Sequence, residues 1–306
     1  MERVGIIDIG THSVLYLLAQ CNEDGIIECP DQALRSVRLG HNMMRTGHIA
    51  QDRIAEVARV VKTFAASANQ DGASRCIAVG TQVFRTAKNS QEALDIIEQT
   101  SGISVDVLTP EDEALWSSQG ALYGRDQSDR AVVADIGGGS TEIIAVKPDT
   151  PPAPISHSIG AVVLTECFLQ HNPPTGEEIE AGFQTIRSFH DEHTIHLLSS
   201  ADKLVCVGGT ITTLAALHLK LSQYDSSRVD GAILTLEQIQ AQFDQLRTLN
   251  LDQRRTYMKL DPERAGIILA GTMILLEVIR SGHFKSVLVS DRGLRFGIAL
   301  RTFQMT

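Results

Sequence analysis

Two short stretches of the sequence combine the residue types that hold phosphate: Asp8-Ile9-Gly10-Thr11-His12-Ser13 and Asp135-Ile136-Gly137-Gly138-Gly139-Ser140-Thr141. In each, an aspartate closes an apolar run and is followed by glycine and hydroxyl side chains. Glycine lets backbone approach an anion closely, and turn amides with hydroxyls cradle phosphate oxygens. An aspartate at a strand end takes a divalent ion, or a water bound to one. This makes Gly10, Thr11, His12, Ser13, Gly137, Gly138, Gly139, Ser140 and Thr141 candidates for phosphate, and Asp8 and Asp135 candidates for metal. One such turn alone is equally an ordinary glycine-rich hairpin.

The pair is harder to dismiss. Val4–Gln20 and Ala131–Lys147 align without a gap, with Asp8 and Asp135 separated by 127 positions. Cys76–Thr81 and Leu204–Gly209 repeat at almost the same spacing, Val79 and Val207 lying 128 apart. Two matches at one offset indicate duplicated domains.

Three other places carry chemistry. Thr109-Pro110-Glu111-Asp112-Glu113 opens a helix, where a cap, an N1 proline and first-turn acids account for Glu111 and Asp112. Glu113 lies about one turn in, placed to take a proton from an attacking water, although acidic first turns are common. Arg85 follows a strand and can grip phosphate with two parallel bonds or form an ion pair. Gly208-Gly209-Thr210 holds the corresponding place in the second half and either admits a phosphate or starts a helix tightly. Arg35 and Arg38 suit phosphate contact and surface solvation equally. His190, His193 and His196 line one helical face, but their polar neighbours favour solvation over a metal.

Each half must position these residues with the same elements. Apolar runs predict strands near 4–9, 14–20, 33–39, 75–79 and 103–108, with helices near 51–68, 89–100 and from 110. The second half repeats strands near 131–136, 141–147, 155–160 and 203–207, with a capping box at Thr175–Glu178 and a last strand at 286–289 leading into a terminal helix. Three antiparallel strands, then parallel ones with helices between, describe a ribonuclease-H-like domain. The expected fold class is therefore α/β, with two ribonuclease-H-like domains of the actin-like ATPase superfamily facing across a cleft. The polar stretch Gly124–Arg130 sets the expected domains at 1–124 and 125–306, the terminal helix from about 291 packing back on the first. Lys147–Pro154 reads as a hairpin loop.

The bulk properties set limits. A net charge of −10 argues against a general grip on nucleic acid, yet allows a locally positive cleft. The N-terminus opens straight into a strand-like run and no apolar run reaches membrane-spanning length. Five scattered cysteines without a CxxC pair suit a reducing compartment, so a cytoplasmic protein is expected.

In this order the motifs resemble the exopolyphosphatase and guanosine pentaphosphate phosphatase family, almost from end to end. The resemblance rests on the Asp8–Ser13 turn, Val37–Gly40 with Thr46-Gly47, Thr81–Asn89, Glu111–Ala114 and above all Asp135–Glu142. It continues through Gly160-Ala161, Leu164–Glu166, Gly208–Thr210 and Ser290–Gly297. The resemblance implies hydrolysis of terminal phosphates from inorganic polyphosphate, or of the 5′ γ-phosphate of guanosine pentaphosphate. It implies Glu113 as the base, Asp135 and Glu142 beside a divalent metal (usually Mg²⁺, with Mn²⁺ as alternative), Arg85 and the glycine-rich turns on phosphate, and a homodimer. A small actin-like kinase, or a polyphosphate or alarmone sensor without turnover, are the competing readings. Three positions depart from the family: Leu15, Val163 and Asp230 stand where relatives often carry cations. A shorter phosphate chain or a nucleotide follows as the expected substrate.

Overall fold

The computed structural model describes residues 2–126, 129–147 and 150–304. The chain divides into two compact units, Met1–Gly120 with Leu294–Thr306, and Ala121–Gly293. The division falls four residues before the polar stretch at Gly124, inside the helix Pro110–Leu122. Gln127 and Ser128 of that stretch, and Pro148 and Asp149 of the expected hairpin loop, lie outside the described residues.

The first unit is built on five strands, β1 (Arg3–Ile9), β2 (Ser13–Cys21), β3 (Ile27–Ser36), β4 (Arg75–Gly80) and β5 (Val105–Val107), in the order β3-β2-β1-β4-β5. β1 to β3 run antiparallel, and β4 and β5 pair in parallel. Central β1 is buried almost throughout, as a strand covered on both faces must be, and Asp8 is the carboxylate in that apolar run. One face carries Ile7, Ile9, Val14, Tyr16 and Leu18 into a core closed by the helices Gln51–Gln70 and Ser90–Ser101. The helix Leu294–Gln304 packs on β1 and β2 and donates from Arg295 to the Tyr16 carbonyl. It meets the helix Pro110–Leu122 so closely that a Cβ on Gly297 would lie 1.8 Å from the Trp116 carbonyl oxygen.

The second unit repeats the plan with one addition. Strands β6 (Ala131–Ile136), β7 (Thr141–Lys147), β8 (Thr150–His157), β9 (Lys203–Val207), β10 (Ile233–Thr235) and β11 (Ser286–Val289) take the order β10-β11-β9-β6-β7-β8. Removing the antiparallel edge strand β10 leaves the first unit's order and directions. The helix Ile268–Ser281 is apolar nearly all round and is buried as the hub of this core. The fold class is thus α/β, with two sheets of the expected ribonuclease-H-like order.

The third strand of each half lies earlier in the chain than its apolar residues suggest. β3 ends at Ser36 rather than near 39, and β8 ends at His157 rather than near 160. In both cases the following residues leave the ladder to bind the phosphate-type turn. β8 also tolerates Pro154 because it is an edge strand, where a missing N–H faces no partner. The capping box at Thr175 is present in both directions, Glu178 N to Thr175 Oγ1 at 3.2 Å and Thr175 N to the Glu178 carboxylate at 2.9 Å.

The three histidines do not share a helix face. His190 caps the helix Gly176–Phe189 and is buried, whereas His193 and His196 are exposed on Glu192–Ser199. Among the described residues no group of three or more His, Cys, Asp or Glu is gathered for a metal. His190 Nδ1 lies 2.8 Å from Ser281 Oγ and its ring packs 6.1 Å from that of His157. Burial lowers the His190 pKa to about 4, with the neighbouring imidazole adding to the shift and Asp191 opposing it; burial lowers His157 as well. Between pH 6.5 and 5 the unfolded chain therefore binds protons that the folded one refuses, so stability falls as pH falls. The loss approaches about 1.4 kcal/mol per pH unit for each proton. Urea denaturation between pH 7.5 and 5 checks this: the midpoint should drop in the wild type and drop less in His190→Gln.

Candidate active site

Both phosphate-type turns are closed in the same way. Gly10 N donates to Ser13 O and Gly137 N to Ser140 O, each at 3.0 Å. The segment after the third strand then folds over the turn and donates to its carbonyls. In the first unit Val37 N and Arg38 N reach His12 O at 3.1 and 2.8 Å, and Gly40 N reaches Thr11 O at 2.9 Å. In the second, Ala161 N reaches Gly137 O at 2.9 Å, while Val162 N and Val163 N reach Gly138 O at 2.8 and 3.3 Å. The carbonyls are thus turned inward and occupied. Among the described residues nothing accepts from the amides of Gly138 and Gly139. A turn whose acceptors are spent and whose donors are open suits an anion.

Close backbone approach makes this possible. A Cβ on Gly160 would lie 2.5 Å from both the carbonyl carbon and oxygen of Gly138, and 2.7 Å from Gly139 N. Arg38 pays for its place with φ 51°, an uncommon conformation for a long side chain and one that marks functional segments. Arg38 therefore rides on the segment that pins the first turn. Arg35, by contrast, is exposed and donates to its neighbour's carbonyl at Leu34.

The strand ends bring the remaining candidates to these turns. Gly80 at the end of β4 pairs with Ile9 in parallel register, so the chain leaving β4 starts beside the first turn. There the short helix Gln82–Thr86 carries Arg85, and Leu108 N binds Gly80 O to bring the next helix alongside. Arg85 NH1 donates to Glu113 Oε2 at 2.7 Å and to Leu108 O at 2.8 Å, while Gln82 Oε1 accepts from its Nε and NH2. Glu113 is 9% exposed, so this is a partly dehydrated pair. Thr109 Oγ1 accepts from Asp112 N at 3.1 Å and caps the Glu113 helix, which leaves Asp112 with a capping part.

In the second unit Asp135 and Glu142 face each other directly across β6 and β7. Facing like charges destabilise a sheet, and Glu142 is only 1% exposed; Ser156 Oγ donates to it at 2.8 Å. Asp8 occupies the equivalent place in β1, but its partner is Leu15. Thr141 Oγ1 donates to the Ile159 carbonyl at 2.6 Å, which gives this hydroxyl a place in holding the turn. At the end of β9, Gly208 has φ 97°; a Cβ there would strike Ile136 O at 2.7 Å and reach Asp135 Oδ1 at 3.3 Å. Gly209 begins the helix Gly209–His218, and the Thr210 hydroxyl lies against Gly271 of Ile268–Ser281.

Sequence reading passed over Arg264. Its guanidinium lies flat on Gly209, where a Cβ would come within 2.1 Å of Cζ, and Nε donates to Asp261 Oδ2 at 2.8 Å. The spacing Asp261-Pro262-Glu263-Arg264 marks a capped turn, but its closeness to Gly209 is purely tertiary. Asp230 is also recast. Its carboxylate collects Arg125 at 2.5 Å and Arg292 at 3.2 Å, so this departure from the family gathers cations in place of supplying one. Leu15 and Val163, in contrast, sit directly at the two turns.

The profile of the Ppx/GppA phosphatase family matches residues 20–305. Exopolyphosphatase 2 of Mycobacterium tuberculosis is 31% identical, the alignment covering 98% of each chain. A guanosine-5′-triphosphate,3′-diphosphate pyrophosphatase of Photobacterium profundum is 26% identical over 95% of this chain and 57% of its own. Among solved structures, the Aquifex aeolicus Ppx/GppA family member superposes with a TM-score of 0.81 at 34% identity, covering 99% of this chain and 98% of that one.

The closeness of Gly160 to the second turn is directly testable. Gly160→Ala should leave the fold intact by circular dichroism yet raise the KM for a phosphoanhydride substrate at least about tenfold, because a backbone turn cannot yield as a side chain can.

Proposed function

We propose, from the premise that this chain belongs to the Ppx/GppA phosphatase family, that it hydrolyses the terminal phosphoanhydride bond of inorganic polyphosphate, with guanosine pentaphosphate as the second substrate to test. The observation that carries the reading is the duplicated turn, pinned through its carbonyls in both units, with a partly buried Arg85–Glu113 pair in the first.

Phosphoryl transfer needs positioning and charge neutralisation more than a strong base. In this reading the Thr11–Ser13 turn, Arg38 and Arg85 are the phosphate-binding groups of the first unit, and Gly138, Gly139, Ser140 and Arg264 are those of the second. Arg85 has a further effect. While it is paired with Glu113 the guanidinium occupies a carboxylate oxygen; a phosphate that draws the guanidinium to itself leaves that oxygen to a water. Glu113 then takes the proton of the attacking water. The water oxygen bonds to the terminal phosphorus, the bridging P–O bond breaks, and the shortened phosphate chain leaves with that electron pair.

Asp135 and Glu142 fit a divalent ion, because two facing carboxylates, one of them buried, are an arrangement that a cation stabilises. Mg²⁺ characteristically takes one or two carboxylates and completes its shell with water and substrate phosphates; Mn²⁺ is the alternative. When bound, the ion would neutralise charge on phosphate oxygens. Asp8 is the equivalent carboxylate of the first unit and a metal candidate there.

Leu15 and Val163 place apolar groups at both turns, which supports a preference for short chains over long ones. Five free cysteines, Cys206 fully buried, suit a cytoplasmic setting. A homodimer is carried over from the family, and sedimentation velocity would test it.

The decisive experiment is phosphate release from short polyphosphate, long polyphosphate and guanosine pentaphosphate with Mg²⁺ and with Mn²⁺. Glu113→Gln should lower kcat by roughly 10²–10⁴ with a small change in KM. Near-normal turnover in that variant would remove Glu113 as the base, and a strong preference for long chains would overturn the short-chain reading.

A further inference from the structure

Ser13 and Ser36 are cross-strand partners in the antiparallel pair β2 and β3. Directly opposed residues send their side chains to one face, about 5 Å apart at Cβ. Neither hydroxyl oxygen is accessible to solvent, and neither has a hydrogen-bond partner among the described residues. Buried hydroxyls are nearly always satisfied, so two orphans side by side require a reason.

Their position supplies it. Ser13 closes the first turn by accepting from Gly10 N, and Ser36 is the last residue before the segment that pins that turn. Strand alternation places Ser13 and Ser36 on the face that carries Asp8 and Leu15, opposite the face of Val14 and Tyr16 that builds the core. A hydroxyl that sits at a turn with occupied carbonyls and has no protein acceptor keeps its donor for a ligand. The second unit repeats the register: one pair beyond Thr141 and His157 come Ser140 and Ser158, the latter with a partner of its own.

We infer that Ser36 is a substrate-contacting residue, its hydroxyl donating together with that of Ser13 to one phosphate group of the bound phosphoanhydride. This extends the phosphate grip from the turn onto β3 and rests on the phosphohydrolase reading above. Ser36 belongs to no motif of the turn itself. It reaches the site only because β3 pairs in this register with β2.

A buried orphan hydroxyl that serves binding has a recognisable signature: its removal costs affinity but not stability. Ser36→Ala should therefore melt at or above the wild-type temperature in the absence of substrate. Its KM for short polyphosphate should rise about three- to tenfold with kcat within twofold. Ser36→Thr, which keeps the hydroxyl, should recover most of the affinity. A lowered melting temperature with unchanged KM would overturn the inference and make Ser36 a structural residue, and unchanged melting with unchanged KM would assign the two hydroxyls to an ordered water. Calorimetric binding of tripolyphosphate, with Glu113→Gln as the non-turnover background, separates this inference from its premise. Weakened binding in Ser36→Ala with no turnover of any substrate by the wild type would keep the contact and remove the hydrolase. Turnover by the wild type with unaltered binding and KM in Ser36→Ala would do the reverse.

Discussion

A tight turn that gives up its carbonyls is the constraint on which this structure depends. Backbone carries donors and acceptors in equal number, so a turn is neutral toward an anion until something removes the acceptors. Here that something is the chain just beyond the third strand of each sheet, Val37–Gly40 in one unit and Gly160–Val163 in the other. The cost is visible in the backbone: Arg38 in a left-handed conformation, and Gly160 where any side chain would collide with Gly138. The amides of Gly138 and Gly139, left without acceptors among the described residues, act as fixed partial charges that suit an anion.

Everything else is arranged by the ends of parallel strands. Because β4 runs alongside β1, and β9 alongside β6, the segments that leave them emerge beside the turns. Arg85 and Gly208-Gly209 are the products of that one topological fact in the two halves. The helix holding Glu113 follows β5 by the same rule, and Leu108 fastens both Gly80 and Arg85. Ligands gather at the carboxyl ends of parallel strands in open α/β sheets for this reason.

Much of this was legible in the sequence because duplication repeats both motif and spacing. The Asp8 and Asp135 turns, the strand order and the capping box at Thr175 follow from local pattern and one offset, and of the two readings of Arg85 the ion pair is the one the structure holds, with Glu113. What escaped is tertiary. The third strands slip toward the N-terminus because Val37–Gly40 and Ser158–Gly160 are spent on the turns, which no periodicity records. Arg264 looks like part of a capped turn until Gly209 is seen beneath it. His190 shares a spacing with His193 and His196 but caps a different helix, since a break at Asp191 separates them. Asp230 reads as a lost cation only while Arg125 and Arg292 are distant in sequence.

The two halves have kept their backbone and divided their chemistry, and electrostatics explains why they had to. A second carboxylate facing Asp8 would add a like charge to the unit that holds the Arg85–Glu113 pair. Leu15 avoids that charge. The second unit carries no counterpart of the Arg85–Glu113 pair among the described residues at its glycine turn, and there the facing carboxylates of Asp135 and Glu142 can concentrate charge for a cation while Arg264 balances the far side at Gly209. The same strand position, two residues beyond the turn serine, is thus apolar in the unit that carries the Arg85–Glu113 pair and acidic in the unit that carries the facing carboxylates. Duplication supplied two equivalent turns; one substitution across a strand pair is enough to give them different charge.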